Sequence, residues 1–232
     1  MQPDAHPDLV RVLDDFERAR LAQLRGRPQG GCYLAAHALT RLVLADRLGV
    51  PPRQVRYDRT CPCGGQHGKP RLRIDTAYTA AGSVDFSMTH TPDLVGVAVA
   101  DAAVGLDVEK IRPLLGIATL SAQIYSPHEL AQLREPAGDL ATLFMTWTRK
   151  EALVKATGEG LRRPMNSITL DDTQGVAVSD WGSAPPAGPM WLVDLRPGPD
   201  HPAALAGCGT APSAVSESDG YEVLAHARGV LD

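Results

Sequence analysis

Asp107 and Glu109 stand two residues apart in Leu106-Asp107-Val108-Glu109. A strand through them turns both carboxylates to one face and Leu106 and Val108 to the other. Two carboxylates so placed can grip a hard divalent cation such as Mg2+, which takes few protein carboxylates and fills its octahedron with waters and substrate phosphates. Taken alone, the pattern more often describes a solvated strand face. In Trp147-Thr148-Arg149-Lys150-Glu151-Ala152-Leu153-Val154-Lys155-Ala156, helical periodicity aligns Trp147, Glu151 and Lys155 and sets Lys150 about 100° from Glu151. One carboxylate and two ammonium groups then lie close together, although Glu followed by Lys at i+4 is also an ordinary pairing on an exposed helix. Phe86-Ser87-Met88-Thr89-His90-Thr91 runs from a strand end into a polar turn, and Gly64-Gly65-Gln66-His67-Gly68-Lys69-Pro70 is a loop whose backbone suits ligand contacts.

These residues need a scaffold, and the hydrophobic pattern outlines one. Leu9, Leu13, Phe16, Leu21 and Leu24 are spaced for a helix over 9–25, and Leu34, Leu39, Leu42 and Val43 for a second that stops near Gly49-Val50-Pro51-Pro52. Strands are expected at 55–57, 84–87 and 94–100, the last apolar enough to be central in a sheet, and at 104–109. Helices follow from about Ser121 and Ser126, where Ser126-Pro127-His128-Glu129 is a capping box, and from Leu140 to Thr157. Strands return at 167–170, 191–195 and 221–224, while 182–209, crowded with Pro and Gly, reads as loops and edge strands. The sum is an α+β protein with helices followed by strands in each half, divided into lobes at 1–103 and 104–232.

Composition narrows the function. With 23 Lys+Arg against 27 Asp+Glu and a net charge of -4, the 232-residue chain offers no general attraction for nucleic acid or an anionic membrane. The longest apolar stretch, Leu94 to Ala100, is far short of the roughly 20 residues a membrane helix needs. Four cysteines, Cys32, Cys61, Cys63 and Cys208, are too few and too unevenly spaced for a disulfide framework, and with no signal-peptide pattern at the N-terminus they point to the cytoplasm.

Order and spacing make the four elements specific. Gly-Lys-Pro at 68–70, Phe-Ser-Met-Thr-His at 86–90, Gly-Leu-Asp-Val-Glu at 105–109 and Trp-Thr-Arg-Lys-Glu-Ala-Leu-Val-Lys at 147–155 resemble the signature of the 4′-phosphopantetheinyl transferases of the Sfp type, over about residues 34–170. The resemblance implies a pseudo-twofold arrangement of two similar α+β lobes with the active site in the cleft between them, the first lobe binding coenzyme A. It implies a reaction in which the phosphopantetheine arm of coenzyme A passes to a serine of an apo acyl or peptidyl carrier protein and 3′,5′-ADP leaves. Asp107, Glu109 and Glu151 then look like Mg2+ ligands, and Lys150 and Lys155 like partners of the coenzyme A phosphates. Thr89 and His90 look like contacts to its 3′-phosphate and pyrophosphate, with Lys69 and Pro70 beside the adenine. A monomer is expected, and the carrier, whether of fatty acid, polyketide or nonribosomal peptide synthesis, stays open.

The chemistry suits the residues. Phosphoryl transfer needs charge neutralisation more than covalent help, and the chain carries no Gly-x-Ser-x-Gly, P-loop or dinucleotide fingerprint. The attacking hydroxyl would belong to the partner, with Glu151 as its base and Lys155 stabilising the leaving diphosphate. Two alternatives are a Mg2+-dependent hydrolase of a nucleotide diphosphate and a non-catalytic module that binds coenzyme A or a carrier. The segment Pro28-Gln29-Gly30-Gly31-Cys32 is uncharged where the family often has basic residues, so Arg25 or Arg27, or a second basic face from His37 and Arg41, are candidate replacements. Cys61, Cys63 and His67 supply three of the four ligands that a structural zinc site wants.

Overall fold

The Asp14 carboxylate accepts the Glu17 N–H at 2.8 Å while the Glu17 carboxylate accepts the Asp14 N–H at 3.0 Å, a capping box that starts a new helix in mid-pattern. The helix expected over 9–25 is therefore two, α1 (Pro7–Val12) and α2 (Asp15–Gln23), followed by α3 (Gln29–Leu48). The computed structural model describes residues 6–61, 64–65, 68–73, 83–133, 139–171 and 176–230. Cys63 and His67 of the possible zinc group lie outside them.

The chain divides into two compact units, Met1–Asp101 with Ala214–Asp232, and Ala102–Ser213. In the first unit, Leu9, Val12, Leu34, Ala38 and Leu39 form a core that Leu224 and Ala227 of the C-terminal helix (Gly220–Val230) complete. Two expectations are corrected here. Residues 221–224 are helical rather than a strand, because the i, i+3 pair Leu224 and Ala227 buries against that core. For the same reason this segment packs with the first unit and not with the 104–232 lobe. Strands β1 (Tyr57–Asp58) and β2 (Arg71–Leu72) form a short antiparallel pair, and β3 (Asp85–His90) pairs antiparallel with β4 (Val95–Ala100) over its whole length. The strand at 94–100 is not central: among the described residues β4 pairs with β3 alone, and Val95, Val97 and Val99 find apolar neighbours in the cores instead.

The first unit also buries an ion cluster. Arg41, fully buried, donates from Nε to Glu17 Oε2 at 2.5 Å, from Nη2 to Asp14 Oδ2 at 2.5 Å and from Nη1 to the Val55 carbonyl at 2.8 Å. Arg59 and His37 reach Glu17 Oε1 at 2.8 and 3.0 Å. His37 and Arg41 therefore do not offer a second basic face; both are committed to a carboxylate that would otherwise be stranded in the interior. Burial alone would raise the Glu17 carboxyl, but hydrogen bonds from His37 and Arg41 and the Arg41 charge outweigh it and hold it at about 2.

In the second unit β5 (Val104–Val108) begins a helical region, α4 (Ile117–Ile124), α5 (Pro127–Gln132) and α6 (Leu140–Thr157), before the strands β6 (Thr169–Asp171), β7 (Ala177–Asp180), β8 (Met190–Gly198) and β9 (His201–Cys208). The order β5-β9-β8 is antiparallel throughout, with Asp107 opposite Ala204, while β6 and β7 form a separate hairpin. Residues 201–208, read as loop or edge, are thus the central strand. Pro202 and the run of alanines argue against a strand in sequence, yet Ala204 and Ala206 are fully buried and let α6 approach. Gly207 serves the sheet in a similar way: a Cβ there would lie 2.2 Å from the Trp191 ring of β8. Both units combine helices with antiparallel sheet, so the protein is mixed α/β, and no helix among the described residues is long and apolar enough to cross a membrane.

The ion cluster predicts an acid response. A carboxyl with a folded pKa of about 2 and an unfolded value of 4.5 contributes about 3 kcal/mol, fully present above pH 4.5 and lost as pH falls towards 2. Thermal denaturation from pH 6 to pH 2 is expected to show this loss, and Glu17→Gln, which removes the titrating group, to flatten it. An equally steep profile in the variant would assign the acid sensitivity elsewhere.

Candidate active site

Gly105 of β5 lies directly against α6: a Cβ on it would stand 1.9 Å from the Ala152 carbonyl oxygen and 2.5 Å from the Ala156 nitrogen. Strand and helix meet backbone to backbone, and this sets the two carboxylate-bearing motifs side by side. Asp107, two residues along, is 5% exposed, and Lys155 on α6 donates to its Oδ1 at 2.7 Å and to the Leu106 carbonyl at 3.1 Å. Glu109 follows the end of β5, with its N–H donated to Pro202 O at 3.0 Å and its carboxylate 3.4 Å from Arg112.

The electrostatics tie Glu151 to this pair. Burial raises the Glu151 carboxyl; Lys155 opposes this, while the charges of Asp107 and Glu109 raise it further. Glu109 is likewise raised, by burial first and then by Asp107, with Arg112 opposing. Glu151 Oε2 is buried and has no hydrogen-bond partner among the described residues. Carboxylates that raise one another in this way fit a hard divalent cation better than they fit one another. Among the described residues no three acidic, His or Cys side chains are drawn together as a preformed metal group. In this arrangement the ammonium of Lys155 supplies the positive charge at Asp107.

Lys150 is not part of this group. Its ammonium is fully buried and donates to Ile124 O at 2.7 Å, to Ile168 O at 2.7 Å and to Glu129 Oε2 at 2.5 Å. An ammonium has three protons, so none remains for a phosphate, and the expected contact to coenzyme A is corrected. Burial lowers Lys150 from the ordinary lysine value and the charge of Glu129 opposes that. Sequence reasoning gave Glu129 only a capping role. That role is real, but the same carboxylate also holds the lysine.

In the first unit, Thr89 is buried and His90 exposed, adjacent on β3 and therefore on opposite faces of it. Lys69 pairs with Asp85 at 2.6 Å, with the partly buried Pro70 beside it. Asp85 opens β3 and His90 closes it, so the lysine sits about 16 Å of strand away from the histidine. The structure brings together Asp107, Glu109, Glu151 and Lys155, and does not bring Lys69 to His90.

Comparison with known proteins points the same way as the motifs. Residues 103–193 match the model of the 4′-phosphopantetheinyl transferase superfamily. The chain is 28% identical over 214 residues to 4′-phosphopantetheinyl transferase HetI of Nostoc sp., an alignment covering 90% of this chain and 84% of the relative. It is 34% identical over 118 residues to 4′-phosphopantetheinyl transferase AcpT of Salmonella typhimurium and 26% over 147 residues to 4′-phosphopantetheinyl transferase gsp of Aneurinibacillus migulanus. These two alignments cover 50% and 62% of this chain, and 57% and 56% of the relatives.

If the close approach of β5 to α6 sets the site, Gly105→Ala must push them apart. Overpacking of this kind costs about 1–3 kcal/mol. Thermal denaturation is expected to show a lowered Tm for Gly105→Ala, larger than for alanine at the open Gly188, where a Cβ meets nothing within 4 Å. Equal shifts would mean that strand and helix are not in backbone contact.

Proposed function

The chain belongs to the 4′-phosphopantetheinyl transferase superfamily and is an enzyme of that transferase class, and on that premise we propose that it moves the 4′-phosphopantetheine arm of coenzyme A to a serine of an apo acyl or peptidyl carrier protein, releasing 3′,5′-ADP. The observation that carries this reading is the gathering of Asp107, Glu109, Glu151 and Lys155, from two separate motifs, within electrostatic reach of one another. Asp107, Glu109 and Glu151 would hold Mg2+, which when bound neutralises charge on the diphosphate. Glu151 Oε2, a buried carboxylate oxygen with no hydrogen-bond partner among the described residues, receives the proton of the attacking serine. Lys155 has its ammonium at the carboxylate cluster and stabilises charge on the leaving diphosphate.

Lys69, Pro70, Thr89 and His90, all within the first unit, serve coenzyme A in this reading. The protein works as a monomer in the cytoplasm, a compartment that suits Cys32, Cys61 and Cys208, none of which forms a disulfide among the described residues. The carrier meets the segment Lys110–Leu120, which leaves Glu109 directly. Leu114 packs with Ile117 and Leu120 against Ile124, Tyr125 and Leu143, whereas Leu115 is fully exposed, with Arg112 exposed nearby. A fully exposed leucine three residues from a guanidinium suits an acidic helical partner with an apolar patch.

Intact-mass analysis of apo carrier proteins incubated with coenzyme A and Mg2+ tests the reaction. Gain of the phosphopantetheine mass supports it; free 3′,5′-ADP and phosphopantetheine with unmodified carrier would make the protein a hydrolase. Glu151→Gln is expected to cut transfer by about 10²–10⁴-fold while the fold persists, since the amide can neither take the proton nor offer the charge. A loss below about tenfold in the same assay would remove Glu151 from the base role. Leu115→Asp is expected to raise the KM for carrier and leave that for coenzyme A and the Tm unchanged, with activity falling as salt is added. An unaltered carrier KM would move the docking surface elsewhere.

A further inference from the structure

Lys150 sits in a cage whose acceptors come from three elements. Ile124 O is the last carbonyl of α4, Glu129 belongs to α5, and Ile168 O immediately precedes β6. The cage is itself braced: Glu129 Oε2 also accepts the Ser126 N–H at 2.6 Å, Glu129 Oε1 accepts the Leu170 N–H at 2.9 Å, and Thr169 Oγ1 donates to Ser126 Oγ at 2.9 Å. Every member is buried or partly buried, and these bracing bonds do not involve the ammonium.

Lys150 and Glu151 are consecutive on α6, about 100° apart around its axis. Three hydrogen bonds in three directions fix both the roll and the height of the helix at Lys150. The direction of Glu151 follows. A buried ion pair is a weak way to stabilise an interior, because desolvation offsets its attraction, whereas apolar side chains would fill the same volume at no such cost. What apolar packing lacks is direction. We infer that Lys150 is a positioning residue that acts through Glu151, holding α6 in the rotation that turns this carboxylate towards Asp107 and Glu109. The inference rests on the transferase reading for its kinetic consequence, but not for its effect on cation binding.

The test compares wild type with Lys150→Met, Glu129→Gln and the double variant in three measurements: Tm, binding of Mn2+ alone by electron paramagnetic resonance, and kcat and KM for carrier loading. Lys150→Met strands the Glu129 charge and is expected to lower Tm sharply. The double variant removes that charge and is expected to regain most of the Tm. Its Mn2+ affinity and kcat are nevertheless expected to stay about 10–100-fold below wild type, the usual effect of losing a group that orients a ligand, with KM for coenzyme A within about threefold. Recovery of Mn2+ affinity and kcat together with Tm would reduce Lys150 to a stabilising residue. A raised KM for coenzyme A with unchanged kcat would make it a substrate contact after all. Should Lys150→Met not fold, Glu129→Gln, which keeps the lysine and both carbonyls, is expected to show the same loss of Mn2+ affinity, and wild-type affinity there would overturn the inference. A wild type that loads no carrier would overturn the function, while the Mn2+ comparison would still decide the positioning role.

Discussion

The absence of one Cβ, at Gly105, governs the second unit. A side chain there would occupy the space of the Ala152 carbonyl, so only glycine lets β5 rest on the backbone of α6. From that contact the register of the site follows. Asp107 is two residues along the strand, Glu151 directly precedes Ala152 on the helix, and Lys155 directly precedes Ala156. The helix-facing positions of the neighbouring strand are small as well, Ala204 and Ala206 being fully buried against α6. A row of small residues gives up apolar area and gains proximity, and proximity is what brings charges on two elements within reach of each other.

Proximity has a cost that the structure distributes. Burial raises the carboxyls of Glu109 and Glu151, and the charge of Asp107 raises both further. Lys155 and Arg112 relieve part of it, at Asp107 and Glu109 respectively. Neither donates a hydrogen bond to Glu151 Oε2, which leaves a buried carboxylate oxygen able to take up a proton or a cation. The contrast with Glu17 is instructive. There a buried carboxylate meets two guanidiniums and an imidazole, its pKa falls to about 2, and it is structural. The same side chain is pushed in opposite directions by its neighbours, and role follows direction.

Much of the site was legible because its signals are local. The capping box at Ser126, the limits of α6 and the strand carrying Asp107 all depend on residues within a few positions of one another. What escaped depends on distant packing. Ala203 to Ala206 has no intrinsic pull towards a strand, and becomes the centre of a sheet only because β5 and β8 flank it. Residues 221–224 alternate well enough for a strand and are helical because Leu224 meets the core of the first unit. Lys150 was misread for a related reason. Periodicity places it beside Glu151, but α6 is buried on most sides, and which flank holds a carbonyl cage and which a carboxylate cluster is set by α4, α5 and β6.

Net charge conceals a last feature. Residues 1–73 carry 13 Lys+Arg against 7 Asp+Glu, so the remainder, with 10 against 20, holds all of the chain's acidity and more. Several of the early cations are consumed internally: Arg41 and Arg59 by Asp14 and Glu17, Arg47 by Asp101. Arg56, Arg71 and Arg73 remain exposed. For a phosphate-rich co-substrate this segregation matters more than the total, because screening confines each charge to roughly 10 Å and a ligand responds to the groups it faces. The carboxylates of the acidic part repel a diphosphate, and Lys155 offsets this only in part. A cation held by Asp107, Glu109 and Glu151 would convert that repulsion into attraction, so metal and phosphate would each favour the binding of the other.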